Sequence, residues 1–177
     1  MKTNNYVIAT LGKNSEDVTC SILAAKSIGK HVIVNAFDRF ETAAETMLVN
    51  DSLDAFLVPG AYPKVNSFIM DKRLEVVMTF IFPIPPLVFA AMEEHKMYSI
   101  MYNHPATNAL LNEVIADWGS HFNVDSNSDA CLEVLKDPKT CAITNAECAK
   151  KYGLKIIQIL RQEIKMPFLL FQKKIIT

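Results

Sequence analysis

Thr144-Asn145-Ala146-Glu147-Cys148-Ala149-Lys150-Lys151-Tyr152-Gly153-Leu154 closes an apolar, strand-like run and opens a helix-like one. Two earlier groups, Ser126-Asn127-Ser128 and Asn103-His104-Pro105, stand at the same kind of junction. A helix start exposes backbone N–H groups and the positive end of its dipole, so it attracts anions. Three such starts in one half of a small protein point to a cleft for a small acid.

Working outward, strands alternate with helices. The pattern predicts a strand over Tyr6–Leu11 ending at Gly12, a helix over Asp17–Ile28 stopped by Gly29, and a strand over His31–Ala36. A helix over Arg39–Val49 follows, then a strand over Asp54–Val58 ending at Pro59-Gly60, and one or two helical turns over Lys64–Met70. Leu74–Phe82 and Leu87–Met92 are extended runs with no helix between them, which reads as a crossing between lobes. The alternation then restarts: strand Met97–Tyr102, helix Pro105–Trp118, short strand Phe122–Val124, helix Asn127–Lys136, strand Cys141–Ile143, and helix Asn145–Tyr152 stopped by Gly153. Leu154–Leu160 and Pro167–Gln172 close the chain as extended runs, the last returning to the first lobe. This is an α/β chain of mixed, mostly parallel sheets, with lobe 1 at about 1–82 plus 163–177 and lobe 2 at about 83–162. Two lobes of this kind are expected to hold a ligand in the cleft between them.

Composition narrows the classes. The chain has 177 residues, half of them hydrophobic and 21% charged, which fits a globular domain and not a disordered one. Its net charge of −1 and lack of a basic patch argue against nucleic acid as a partner. Cys20, Cys131, Cys141 and Cys148 form no C-x-x-C pair, and Met1-Lys2-Thr3-Asn4-Asn5-Tyr6 carries no signal-peptide core, so we read reduced thiols in a cytoplasmic protein. The histidines lack metal-ligand spacing, so no metal is expected. Val76–Met92 is apolar enough to suggest a membrane span, but it is short and broken by Pro83, Pro85 and Pro86; two buried strands meeting at a proline corner explain it without a membrane.

In this order the segments resemble the prephenate dehydratase domain, and more closely the non-aromatising prephenate decarboxylases of the bacilysin-pathway type. The residues that carry the resemblance are Thr10-Leu11-Gly12; Val58-Pro59-Gly60-Ala61-Tyr62; Phe68 and Met70; Asn103-His104-Pro105, where the family usually has Ser-His-Pro; Ser126-Asn127-Ser128; and Thr144-Asn145 with Ala149 to Leu154. The resemblance implies a two-lobed fold of the periplasmic-binding-protein type (type II) with prephenate between the lobes, and a possible homodimer. Dehydratases of the family also carry Thr-Arg-Phe near the end of the domain, where the threonine is thought to assist hydroxide departure. The corresponding stretch here is Met166-Pro167-Phe168-Leu169, without that proton donor.

The resemblance also implies roles. Prephenate brings its own electron sink, so no cofactor is required. Ser126, Asn127 and Ser128 at one helix start, with Thr144 and Asn145 at another, would hold a carboxylate, although each group also suits ordinary capping. His104 could give a proton or a hydrogen bond, Asn103 could bind a carboxylate or hydroxyl, and the Tyr62 phenol is a donor toward the ring. Phe68 and Met70 would wall the ring, and Ser15 is the hydroxyl left in the first turn. One departure stands out: Glu16 and Asp17 occupy positions where the family has small hydroxyl residues. Near a dianion each would repel by about 1 kcal/mol; alternatively both favour the N-terminus of the next helix and point to solvent. The sequence therefore supports a prephenate lyase first, a non-catalytic binder of an aromatic acid or amino acid second, and a dehydratase with relocated groups last.

Overall fold

The computed structural model describes residues 5–175. The chain forms two compact units, Met1–Ile84 with Lys165–Thr177, and Pro85–Ile164.

The first unit is built on a five-stranded sheet in the order β2-β1-β3-β10-β4. Its strands are β1 (Tyr6–Leu11), β2 (Val32–Phe37), β3 (Ala55–Pro59), β4 (Leu74–Ile84) and, from the end of the chain, β10 (Ile164–Lys173). β1 runs parallel to β2 and β3, while β10 returns antiparallel to β3, pairing Phe168 with Pro59 and Phe171 with Phe56. Helices α1 (Cys20–Ser27), α2 (Phe40–Val49) and α3 (Val65–Ile69) fill the crossovers. One core cluster gathers α2 side chains Phe40, Ala43, Ala44 and Met47 with Phe56, Phe68 and Phe171. Its rings meet edge-on or stacked, with Phe56 4.9 Å from Phe68 and 5.7 Å from Phe171. Gly12 follows β1, and a Cβ there would lie 2.9 Å from Ile22 Cγ1, so glycine lets α1 approach.

In the second unit the order is β7-β6-β8-β5-β9. It contains β5 (Leu87–Ala91), β6 (Met97–Asn103), β7 (Asp117–Asn123), β8 (Thr140–Asn145) and β9 (Lys155–Arg161), with helices α4 (Asn127–Val134) and α5 (Ala146–Lys151) and a 3-10 helix at Pro105–Glu113. β6 is parallel to β7 and β8, and β5 is antiparallel to β8 and β9. β5 and β8 are buried along their whole length, which suits the apolar run of β5 and Cys141–Ile143 within β8.

Four local expectations need correction. First, α1 begins at Cys20, not Asp17, because Thr19 is the cap: its Oγ accepts the Ile22 N–H and donates to the Leu11 carbonyl. Second, Gly29 does not stop α1 by a left-handed turn, since Gly153 is the one glycine with positive φ among the described residues. Third, the segment after Pro105 is a 3-10 helix and Trp118 lies in β7. Thr107 and Asn108 turn their side chains back onto Asn103, in competition with helical bonding, and the stretch from Asp117 pairs with β6 instead. Fourth, β4 is an outer strand with Val76, Val77, Met78 and Ile81 exposed, so only the second half of the apolar run is a buried strand. Pro83 is tolerated there because an outer strand leaves one side of its ladder unused. Among the described residues no helix is long and apolar enough to cross a membrane.

Gly153 closes α5 at φ 68°, with Gly153 N–H donating to the Lys150 carbonyl and Leu154 N–H to that of Ala149. That is a Schellman cap. Neither Gly153 nor Gly29 has an atom within 4 Å of where a Cβ would stand, so the two differ in backbone conformation alone. Gly153→Ala is therefore expected to cost about 1 kcal/mol, while Gly29→Ala is neutral or gains a few tenths, as read from urea midpoints.

Candidate functional site

β6, β7 and β8 are parallel neighbours, so their carboxyl ends reach one edge of the second unit's sheet. Asn103 pairs with Asn123 across one interface and with Ile143 across the other. Each strand hands over to a capped helix there. His104 caps the 3-10 helix, its Nδ1 accepting the Ala106 N–H at 3.1 Å. Ser126 caps α4: its Oγ accepts the Asp129 N–H at 3.0 Å and donates to Asp129 Oδ2 at 2.8 Å. Asn145 caps α5, with Oδ1 accepting the Cys148 N–H at 2.8 Å. The structure thus brings Asn103, His104, Ser126, Asn127, Ser128, Thr144 and Asn145 to one sheet edge.

Those side chains hold the edge together. Thr144 Oγ1 donates to the Asn127 carbonyl at 2.9 Å, tying the end of β8 to the start of α4, and accepts from Cys131 Sγ at 3.4 Å. Ser128 Oγ sits 3.4 Å from Cys148 Sγ, joining the starts of α4 and α5. Asn103 is fully buried. Its Nδ2 donates to the His104 carbonyl at 2.9 Å, Thr107 Oγ1 at 3.0 Å and Asn108 Oδ1 at 2.9 Å, and its Oδ1 meets His121 Nε2. Cys141, beneath the edge, is pushed up to about 12 by burial, which marks it as a core thiol and not a nucleophile.

His104 is a half-buried ionisable group at this edge. Burial holds its pKa below the usual histidine value, and the nearby Asp125 carboxylate opposes that shift without cancelling it. Because Nδ1 accepts the Ala106 amide, the ring proton of the neutral form lies on Nε2.

The remaining candidates lie in the first unit. Ser15 is exposed in the turn after β1. Asp17 does not point to solvent: it is fully buried, accepting the Lys13 N–H at one oxygen and the Val18 N–H at the other, both at 2.9 Å. Its charge is spent on the loop backbone, and Glu16 is the exposed acid of that turn. The Tyr62 hydroxyl donates to Glu41 Oε1 at 2.8 Å, and Lys64 Nζ reaches the same oxygen at 3.1 Å. Burial works to raise the Glu41 carboxyl, but hydrogen bonds from Tyr62, its own backbone and Lys64 pull it below the ordinary range. The Tyr62 ring packs 4.7 Å from Phe40 and stacks on Phe68 at 6.2 Å. Phe68 is buried in that aromatic core, whereas Met70 is 73% exposed.

Four partners were missed in the sequence: His121, Asp125, Glu41 and Asp17 in its loop role. Asp125 alone carried a local signal, standing directly before Ser126. The others act across 18 to 21 positions or through a folded turn, as with His121 on Asn103 and Tyr62 on Glu41.

Among the described residues no group of three His, Cys, Asp or Glu side chains is placed to hold a metal ion, and all four cysteines are thiols outside any disulfide. No protein-family profile matches the chain. The prephenate decarboxylase of Planktothrix agardhii is 28% identical to it over 180 residues, covering 95% of this chain and 88% of that protein. The prephenate dehydratase of Arthrobacter aurescens, solved in complex with L-Phe, shares its fold with a TM-score of 0.71 and 16% identity over 96% of this chain. This chain spans only 61% of that enzyme's length. The methionine-binding protein MetQ aligns with a TM-score of 0.58 and 14% identity, over 97% of this chain and 84% of MetQ. The resemblance read in the sequence is borne out: the chain is similar to a prephenate decarboxylase along nearly its whole length and has the α/β fold shared by prephenate dehydratases and periplasmic-type binding proteins.

The lowered His104 pKa fixes a sign. Between the folded value and the unfolded value near 6.5, the unfolded chain binds a proton that the native chain refuses, so stability rises with pH there. His104 is expected to titrate below 6.5 by NMR, and its stability contribution, complete above pH 6.5, is lost as the pH falls below that point. His104→Gln should remove that part of the stability-versus-pH curve.

Proposed function

We propose that this protein is a carbon–carbon lyase that decarboxylates prephenate without making the ring aromatic, yielding a dihydro-4-hydroxyphenylpyruvate. The observation that carries the reading is the likeness to a prephenate decarboxylase over 95% of the chain. A second feature agrees with it. Met166 to Leu169, where dehydratases are expected to place Thr-Arg-Phe, lies in β10 as plain strand, with Pro167 accepting the Gly60 N–H and Phe168 buried against Phe80 and Phe82. No hydroxyl stands there to help hydroxide leave.

The chemistry balances simply. The bond from the ring to its carboxylate breaks, carbon dioxide leaves, and the electron pair enters the diene. One proton is taken up at a ring carbon, and the ring hydroxyl stays. Such a reaction asks the protein to orient the ring, to desolvate the departing carboxylate and to offer hydrogen-bond donors. The helix starts after β6, β7 and β8 supply amide dipoles for an anionic substrate, with His104 beside them. Tyr62 is assigned the ring-proton donor; its hydroxyl must leave Glu41 to do this. Ser15 is assigned a substrate hydrogen bond and Met70 an apolar contact. We place the activity in a specialised, antibiotic-type biosynthesis in the cytoplasm, by a chain that pairs with itself.

The alternative, a binder whose first-turn acids pair with an amino group, is left with Glu16 alone, because Asp17 is occupied by its own loop.

Purified protein incubated with prephenate is expected to release carbon dioxide and a non-aromatic dihydro product, identified by ultraviolet spectrum and mass. Phenylpyruvate as the product, or no turnover together with thermal stabilisation by amino acids, overturns the reading. Tyr62→Phe should lower kcat by about 100-fold with little change in melting temperature.

A further inference from the structure

We infer that His104 acts as a neutral hydrogen-bond donor through Nε2–H and not as the proton donor, and that Asn103 is the residue that positions it and not a ligand of the substrate. The inference rests on the function proposed above and assigns the division of labour within that site.

The argument begins with the two ring nitrogens. A neutral imidazole has one donor and one acceptor. Nδ1 is the acceptor, because the Ala106 amide donates to it at 3.1 Å. Nε2 therefore carries the hydrogen, and it has no hydrogen-bond partner among the described residues. Nε2 is not among the buried unsatisfied atoms, so this donor is open to solvent and a substrate oxygen can replace water there. Acting as an acid is harder. His104 would first have to take a proton at Nδ1, breaking the cap of the 3-10 helix in a setting where burial already disfavours the charge. Giving up Nε2–H from the neutral ring would leave an imidazolate, and the charged group acting on the ring is the Asp125 carboxylate, which would repel it.

Asn103 has no amide donor left to offer an anionic ligand. Its Nδ2 is shared among the His104 carbonyl, Thr107 and Asn108, and its Oδ1 meets His121. Thr107 Oγ1 also donates to the His104 carbonyl at 2.8 Å, so two side chains clamp the backbone that carries the imidazole. His121 Nε2 is the donor in its bond to Asn103, because an amide oxygen only accepts.

Loss of activity in His104→Ala cannot separate the roles. Removing a preorganised donor costs about 100- to 1,000-fold, and removing a general acid costs about 100- to 10,000-fold. Glutamine separates them, since it carries a neutral N–H donor at similar reach and cannot titrate. His104→Ala should lower kcat/KM by about 100-fold, and His104→Gln should recover at least about tenfold of that, with the acid limb of its pH profile unmoved from wild type. Equal losses in both variants, with that limb gone, overturn the donor role. Nitrogen-15 NMR of the imidazole in the substrate-free protein should show the Nε2–H tautomer at pH 7; the opposite tautomer or the imidazolium overturns it independently of turnover. Asn103→Ala should leave a mixture of tautomers and lower kcat, whereas an unchanged tautomer removes Asn103 from its assigned role. If wild type does not turn over prephenate, the proposed function fails while the tautomer measurement still decides the state of His104.

Discussion

Parallel neighbours β6, β7 and β8 end together, and every helix that leaves that edge begins with backbone N–H groups that must be satisfied. The second unit meets this demand with one polar side chain per helix: His104, Ser126 and Asn145. A cap of this kind contributes about 1 kcal/mol, a large share of the stability of any small unit. Thr144 and Ser128 then join the starts of α4 and α5, while Asn103 fastens the start of the 3-10 helix to the end of β6. The polar edge is thus first a structural device. Any binding role there has to use what capping leaves over: amide dipoles, and the far side of the His104 ring.

The first unit treats its candidate phenol in the same way. Tyr62 is oriented by hydrophobic packing against Phe40 and Phe68, rings that belong to the core around Phe56 and Phe171. Its hydroxyl is held by Glu41, which the neighbouring Lys64 helps to keep ionised. The loop after β1 is held by a different means. Gly12 admits Ile22, and the buried Asp17 carboxylate gathers two backbone N–H groups, so an acid that looked like an obstacle to an anion is part of the turn itself.

Local interactions explain which parts were legible from the chain alone. Alternating strands and helices, the start at Asn127, a helix opening at Asn145 (its cap in the structure) and the stop at Gly153 all follow from residues within a few positions of each element. The fold class was readable for that reason, as was the family likeness. The 3-10 helix was not, because it depends on Thr107 and Asn108 folding back onto Asn103 in the preceding strand. Nor was β7, whose pairing with β6 outweighs a helix-like run through Trp118. At the candidate site, residue types and junctions were visible while their commitments were not: the Asn103 amide donors are committed to His104, Thr107 and Asn108 in the fold. Hydrogen-bond partners set by tertiary packing leave no periodic trace in the chain.

Electrostatics decides how the edge can treat an anion. A helix start carries about half a positive charge, yet α4 has Asp129 in its first turn and Asp125 just before its cap, and α5 has Glu147 in its first turn. Each carboxylate brings a full negative charge close to a half-positive pole, so the starts of α4 and α5 are not electropositive overall, and Asp125 also acts on the His104 ring. The 3-10 helix has no acid in its first turn, and its cap offers a directed N–H in Nε2 of His104. Short-range, directional donors work where a net field does not, because a hydrogen bond to an ionised oxygen contributes about 1.5–3 kcal/mol at contact, whereas solvent and salt screen the more distant acids. On the function proposed above, an anion at this edge would be held by contact geometry at His104 more than by charge.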